Sequence, residues 1–387
     1  MPKQVYVHIG LPKTGTTYLQ DLLYANVDAF ARQGVTVVGR HAQHYEAASE
    51  LAGIRPRLAD RMPTGRWDAV VAEAGRARTD RVVFSNERYS LARKPGVARL
   101  ARSFPDAELH VIVTVRDLVA AEPSAWQEYV KNGGTRTWEE FCAAAVRRPG
   151  ALRRRRRIRR VLRLWPRHLP AERIHVVTVP PPGSPRERIL ERFCSVLGVD
   201  PEALDTREPQ RQNTSLDFVA TEMLRRVNGH EAGLSVAAQR SEIKEWLANG
   251  VLSRRPATTR PVLSGPALEL LAAENAWMIR TLERRGFDVV GELADLDGGV
   301  PEGPASYDVP PEALLEAALE ALVLSSERAH ERGRTLRRMR GRLRRRAGGV
   351  GGATALATRI PGFGAGLRQG LRRGSGPGSA RPGRPGE

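Results

Sequence analysis

Two cations in this chain sit where an anion could be held, and each follows a short apolar run. The first is Lys13, inside the loop Gly10-Leu-Pro-Lys-Thr-Gly-Thr-Thr17 that follows Val5-Tyr-Val-His-Ile9. The order reads as a buried strand, a tight Gly/Pro turn and the first turn of a helix. Loop N–H groups and the positive end of a helix then converge on one point, which is a phosphate cradle. Gly15 has no Cβ to obstruct a close approach, and Thr16 and Thr17 open the helix. The second cation is Arg116, which ends the apolar run His110-Val-Ile-Val-Thr-Val. That run is the pattern of a central parallel strand. Ser124 follows eight residues later, beside Pro123 in the first turns of a helix. A guanidinium forks across two phosphate oxygens and a hydroxyl adds a third donor.

The position of the lysine separates this loop from that of an ATP or GTP site. There the lysine directly follows the second glycine and reaches the β- and γ-phosphates. Gly10 and Gly15 keep the glycine spacing, but Thr16 follows Gly15, and Lys13 lies inside the loop. Pro12-Lys13-Thr14-Gly15-Thr16-Thr17 closely resembles the 5′-phosphosulfate loop of sulfotransferases that use 3′-phosphoadenosine 5′-phosphosulfate (PAPS). Arg116 and Ser124 resemble that family's 3′-phosphate pair. The resemblance implies that Pro12, Lys13, Thr14, Gly15, Thr16 and Thr17 surround the 5′ end, with Lys13 at the bridging oxygen. It implies that Arg116 and Ser124 share the 3′-phosphate, that adenosine 3′,5′-bisphosphate is the product, and that no metal is needed. Arg211-Gln-Asn-Thr-Ser-Leu216 is similar to a late element of bacterial relatives, and Arg211 is the candidate there. The late Arg/Lys–Gly loop of cytosolic sulfotransferases has no counterpart. The resemblance covers roughly residues 1–290.

Sulfuryl transfer needs a base to withdraw the acceptor's proton and cations to stabilise the departing phosphate. The run Arg81-Val-Val-Phe-Ser85 ends in Asn86-Glu87-Arg88, and such strand ends face the ligand crevice of an open parallel sheet. Cytosolic sulfotransferases carry a histidine there and other branches a glutamate; Asn86 is no base, so Glu87 is the first candidate. His44 is the second, and His41 could also serve. His8 alternates into the central strand as a core residue. The expected acceptor is a hydroxyl or amine of a carbohydrate, glycolipid or small metabolite. Two other readings stay open. A P-loop kinase would use Asp117 as its acid, and a non-catalytic polyanion- or membrane-surface-binding protein would use the basic tail.

The elements that must position these residues read as α/β. Strands are expected at 4–9, 35–38, 81–85, 108–115 and 173–179, with a helix over 16–32 and other helices between. The pattern is a parallel β-sheet of about four to five strands flanked by helices, a P-loop-like three-layer sandwich with a helical C-terminal extension and a disordered tail. Residues 1–292 are expected as a catalytic domain, 293–311 as a linker, 312–346 as a basic helix and 347–387 as a disordered Gly/Pro/Arg-rich tail. Of the chain's net charge of +19, +14 lies in the last 60 residues, so the basic balance belongs mainly to the tail. A second concentration surrounds the run Arg153–Arg157, which reads either as a solvated helix face or as a patch for anionic acceptors. Cys142 and Cys194 read as buried free thiols of a reducing compartment. With no apolar run long enough to span a bilayer and no leader ahead of the first strand, the expectation is cytoplasmic, with peripheral attachment to an anionic membrane surface through the arginine-rich tail. No specific nucleic acid is expected as a partner.

Overall fold

Val5, Val7 and Ile9 point to one side of the central strand, while Tyr6 points to the other. This alternation makes the strand apolar on both faces, so helices must cover both. The computed structural model describes residues 2–55, 61–207, 215–230, 235–255, 260–299 and 308–348. Its six strands are β1 (Gln4–His8), β2 (Val35–Val37), β3 (Arg81–Ser85), β4 (Glu108–Val115), β5 (Ile174–Thr178) and β6 (Asp288–Val290). They form one sheet in the order β2-β3-β1-β4-β5-β6, with every pairing parallel. The sequence anticipates the first five. The sixth is an edge strand of three residues, too short to show any alternation.

One face is covered by α1 (Thr16–Ala25), α2 (Val27–Arg32) and α10 (Glu187–Leu197), which bury Leu19, Leu22, Phe30 and Phe193 against Tyr6, Val83 and Ile112. The helix expected over 16–32 is two helices. Asn26 divides them, its amide donating to Leu22 O and Asp205 O (both 3.0 Å) and accepting from Asp205 N at 2.7 Å. The other face is covered by α3 (His41–Ala52), α4 (Arg66–Gly75), α5 (Lys94–Arg102), α9 (Ile158–Leu164) and α13 (Gly265–Arg284), whose Leu51, Trp67, Leu100, Leu162 and Met278 meet Val7, Phe84 and Val113. The three layers expected from the sequence are therefore present.

A second, all-helical cluster extends the domain past the sheet. It joins α6 (Leu118–Lys131), α7 (Trp138–Arg147), α8 (Pro149–Arg156), α11 (Phe218–His230), a π-helical segment (Gln239–Ala248) and one face of α13. The short α12 (Val236–Ala238) leads into the π segment. The final described helix, α14 (Pro311–Gly348), contributes Leu314, Ala317 and Ala321 to this cluster. The chain divides into two compact units, Met1–Ser325 and Ser326–Glu387, so the first turns of α14 belong with the first unit and not with a separate basic helix. The expected linker likewise begins inside the domain. Asp295 accepts from Thr178 Oγ1 at 2.6 Å and Arg192 Nη1 at 2.5 Å, and Leu296 is fully buried. In the second unit, the described part of α14 exposes Leu336 and Met339 among its arginines. The expected disordered tail lies almost wholly outside the described residues. Among the described residues, no helix is long and apolar enough to cross a membrane.

The start of α6 is fastened to α13. Asp117 caps α6 by accepting from Val119 N at 2.8 Å; Asn275 donates to the same Asp117 oxygen at 2.5 Å and accepts from Leu118 N at 3.0 Å. Both residues are buried, so removing the amide leaves the Leu118 N–H without its partner and takes one of two donors from Asp117 Oδ1. Asn275→Ala is expected to lower the unfolding free energy by about 1–3 kcal/mol, read from the urea midpoint at unchanged slope. A loss below about 0.5 kcal/mol would show that the cap is held by something else.

Candidate anion-binding site

In the sheet order, β1 lies between β3 and β4, with His8 opposite Ser85 on one side and Ile112 on the other. Parallel pairing sends all three strands to the same edge. The Lys13 loop, the Asn86-Glu87 turn and Arg116 therefore leave the sheet side by side. The chain moves to one side of β1 for β2 and β3 and to the other for β4, β5 and β6, so the crevice at a topological switch point opens here.

A buried polar chain holds the loop in place. Thr14 Oγ1 donates to Leu11 O at 2.6 Å and lies 2.7 Å from Thr114 Oγ1. With its proton committed to Leu11, Thr14 accepts from Thr114. His8 Nε2 stands 3.4 Å from Thr114 Oγ1, and His8 Nδ1 stands 2.7 Å from Ser85 Oγ. Burial pushes the His8 pKa down to about 3, so the imidazole is neutral and can accept at one nitrogen while donating at the other. His8 is the core residue its alternation predicts. Thr14 turns its hydroxyl inward, and only its backbone N–H is left to face an anion.

The loop itself is under conformational strain. Lys13 has a φ of 67° and Gly15 a φ of 76°. The left-handed region is natural for glycine and costs a lysine of order 1–3 kcal/mol. Gly10 must also be glycine, since a Cβ there would lie 1.9 Å from Thr16 Cγ2. The other described non-glycine residue with a left-handed φ is Arg157, at 64°, between α8 and α9. The chain neighbours of both strained residues, Pro12 and Thr14 on one side and Arg156 and Ile158 on the other, line one cleft together with Leu11 and Arg116.

The cations differ in their partners. Arg116 is largely buried, and its Nε is enclosed with no hydrogen-bond partner. Burial pushes its pKa down, Asp117 pulls it up and Arg260 opposes that. Arg156, buried, is ion-paired with buried Glu122 of α6. Burial and the neighbouring Arg116 bring the Arg156 pKa down to about 10. Lys13 Nζ donates to Glu128 Oε2 at 3.0 Å, and Lys244 of the π-helical segment donates to Glu128 Oε1 at 2.7 Å. Burial pushes the Glu128 carboxyl up, but the two ammonium groups outweigh it and hold the pKa at about 2.

Of the other sequence candidates, Pro12 lines the cleft, Thr16 is buried at the start of α1, and Thr17 and Ser124 are half-buried. Ser124 lies one turn before Glu128 on the same face of α6. Glu87 is exposed at the carboxyl edge, beside the β1 loop, where Asn86 N donates to His8 O at 3.1 Å. Arg88 does not pair with it: Arg88 Nε donates to Ser49 Oγ at 2.9 Å and the guanidinium stacks 4.4 Å from the Tyr45 ring. Arg211 lies outside the described residues.

His44 is a correction. It is fully buried, with Nε2 2.6 Å from Val38 O and Nδ1 3.0 Å from Tyr89 Oη, and it stacks on Phe84. Both ring nitrogens are engaged inside the core, which removes it as a base; His41 is exposed. The described end of the arginine run and the arginines that follow it are a second correction, since they turn inward onto partners: Arg156 pairs with Glu122. Arg159 forks onto Glu274 at 2.6 and 3.0 Å and lies 4.0 Å from the Trp277 ring, while Arg157 and Arg160 donate to Ser90. Cys194 is buried as expected, whereas Cys142 is half-buried, and neither is in a disulfide. Among the described residues, no group of His, Cys, Asp and Glu side chains could hold a metal ion.

The sequence reading did not single out Glu128, Lys244 or the inward role of Arg156. Glu128 had a signal, its i+4 spacing from Ser124; the other two depend on helix packing that no local pattern reveals.

No protein-family model matches the chain, and no curated protein matches it. Among solved structures it is similar to a sulfotransferase from Alicyclobacillus acidocaldarius, at 16% identity and a TM-score of 0.35, over 62% of this chain and 99% of that one.

The buried state of His44 has a measurable consequence. Burial lowers its pKa to about 4, whereas in the unfolded chain it is about 6.5. Below pH 6.5 the unfolded state therefore binds a proton that the folded state does not, and stability falls until pH passes the folded pKa. The stability difference between wild type and His44→Gln is expected to shrink by roughly 3 kcal/mol between pH 7 and pH 4. A difference that stays constant in urea titrations would place His44 in solvent.

Proposed function

We propose that this chain is a PAPS-dependent sulfotransferase that moves a sulfuryl group to a hydroxyl or amine of a carbohydrate, glycolipid or small metabolite. The observation that carries the reading is the meeting of Lys13 and Arg116 at one carboxyl edge, on adjacent parallel strands, with Pro12, Thr14 and Arg116 lining one cleft. The residues fit a nucleotide bearing a phosphate at each end of its ribose. Arg116 offers an enclosed Nε with no partner, and the strained loop closes only because Gly10 and Gly15 lack a Cβ that would meet Thr16 and Ile189.

In this reading Lys13 and the loop N–H groups hold the 5′ end, while Arg116 and Ser124 hold the 3′-phosphate. The bound nucleotide supplies a sulfuryl group that leaves a bisphosphate behind. Lys13 and the amino end of α1 offset the negative charge that grows on the departing oxygen. Glu87, exposed beside the loop, accepts the proton of the attacking hydroxyl or amine, a role His44 cannot fill. The kinase alternative loses its acid, because Asp117 is committed to the α6 cap and to Asn275.

Ligand-linked stabilisation tests the cofactor. Adenosine 3′,5′-bisphosphate should raise the melting temperature where ATP–Mg²⁺ does not, and Lys13→Ala or Arg116→Ala should abolish the rise. Equal or greater stabilisation by ATP–Mg²⁺ would refute the assignment. For the base, Glu87→Gln should keep bisphosphate affinity while turnover of labelled PAPS falls at least 100-fold; retained turnover would move the role elsewhere at the same edge.

A further inference from the structure

This chain has 57 arginines and only five lysines, at positions 3, 13, 94, 131 and 244. Three of the five meet at one place. Lys13 comes from the β1–α1 loop, Lys131 from the last turn of α6 and Lys244 from the π-helical segment, so the meeting is made by tertiary structure across more than 200 residues. Elsewhere the basic residues are almost all arginines. A compact ammonium with three donors differs from a planar fork in that several can crowd around one small anion.

Their surroundings are those of an occupied anion site whose occupant is a side chain. Glu128 gives one carboxylate oxygen to Lys13 and the other to Lys244. Lys244 also donates to Asn132 Oδ1 at 3.1 Å, and Asn132 Nδ2 donates to Glu128 Oε1 at 2.9 Å. Lys131, almost fully buried, donates to Asn249 Oδ1 at 3.2 Å. Burial, Lys13 and Lys244 together bring its pKa down to about 8, against the opposing pull of Glu128 and Glu245. Three ammonium groups thus face two carboxylates, and they destabilise one another's charge. The side chains of Lys13, Glu128 and Lys244 remain 31, 34 and 24% exposed, so solutes can reach them.

The backbone is also shaped to bring these elements together. Gly133 has a φ of 90°, and a Cβ there would lie 3.1 Å from Gln239; at Gly134 it would lie 2.3 Å from the Tyr129 ring. A π-helical run of ten residues is uncommon and tends to occur at functional sites.

We infer that Lys13, Lys131 and Lys244 form an anion subsite adjoining the loop, for a sulfate-, phosphate- or carboxylate-class group, and that Glu128 occupies it in the free protein. The inference rests on the proposed function for its setting. The anion is then either the transferable sulfo group of the nucleotide or an acidic substituent on the acceptor. The incoming anion displaces Glu128 from Lys13 and Lys244, and no covalent bond changes.

The probe is inorganic sulfate, titrated calorimetrically at constant ionic strength into full-length protein saturated with adenosine 3′,5′-bisphosphate, with chloride as the blank. Saturable binding is expected. Lys244→Gln should weaken it about tenfold, the loss of one charge-assisted hydrogen bond, while bisphosphate affinity changes less than twofold. Glu128→Gln should tighten sulfate at least threefold, which a purely structural salt bridge would not do. Sulfate binding no tighter than chloride, indifference to Lys244→Gln, or weakening by Glu128→Gln would each overturn the inference. Replacing the bisphosphate with intact PAPS identifies the source: exclusion of sulfate assigns the subsite to the sulfo group, and continued binding assigns it to the acceptor. If the bisphosphate itself fails to bind, the proposed function has failed separately, and the same sulfate series on the free protein still tests the lysines.

Discussion

The candidate site depends on a short buried hydrogen-bond chain, Ser85–His8–Thr114–Thr14, that runs beneath the loop across three adjacent strands. Its links join the end of β3 to β1, β1 to β4, and β4 to the loop after β1, so the chain does more than satisfy polar groups. It ties the turn after β3, the loop after β1 and the end of β4 into one edge. Buried polar groups of this kind are costly when unpaired and rigidifying when paired. The neutral imidazole is essential to the pattern, since a protonated His8 could not accept from Ser85. Lys13 can hold a left-handed backbone because Thr14, next to it, is anchored on this chain.

Charge around the edge is organised by a single helix. Down its length α6 carries Glu122, Ser124, Glu128 and Lys131. Glu122 neutralises Arg156 and Glu128 neutralises Lys13 and Lys244. Arg116, at the strand end leading into α6, keeps an enclosed nitrogen with no partner. Three of these four cations are thus held by carboxylates from α6, and the fourth, Arg116, is held chiefly by packing. In the proposed reading, an incoming anion competes with Glu128 for Lys13. The Asp117–Asn275 cap sets where α6 begins, and with it every one of these positions.

The central strands were legible because burial on both faces leaves a continuous apolar run: 81–85 and 108–115 are found at the expected bounds, and β1, β2 and β5 differ by one or two residues. The loop was legible because its chemistry is local, with Gly10, Lys13 and Gly15 within six residues of one another. His44 was misread because a histidine after a strand looks the same whether it faces solvent or turns back onto Val38 O and Tyr89. The arginine run was misread for a related reason. At its described end, Arg156 and Arg157 meet Glu122 and Ser90, 34 and 67 residues away, and an unbroken run of one charge carries no sign of them.

The sequence by itself determined the parallel α/β architecture and the two cationic strand ends, because period-two burial and a glycine-rich strand-to-helix loop are properties of short stretches. Only the tertiary structure decided which groups stand next to those ends. Strand order put β1 between β3 and β4, and helix packing brought Glu128 and Lys244 to Lys13 and Arg156 to Arg116. Such neighbours are chosen by long-range packing, in which residues far apart in the chain share one volume, and no local pattern records that choice.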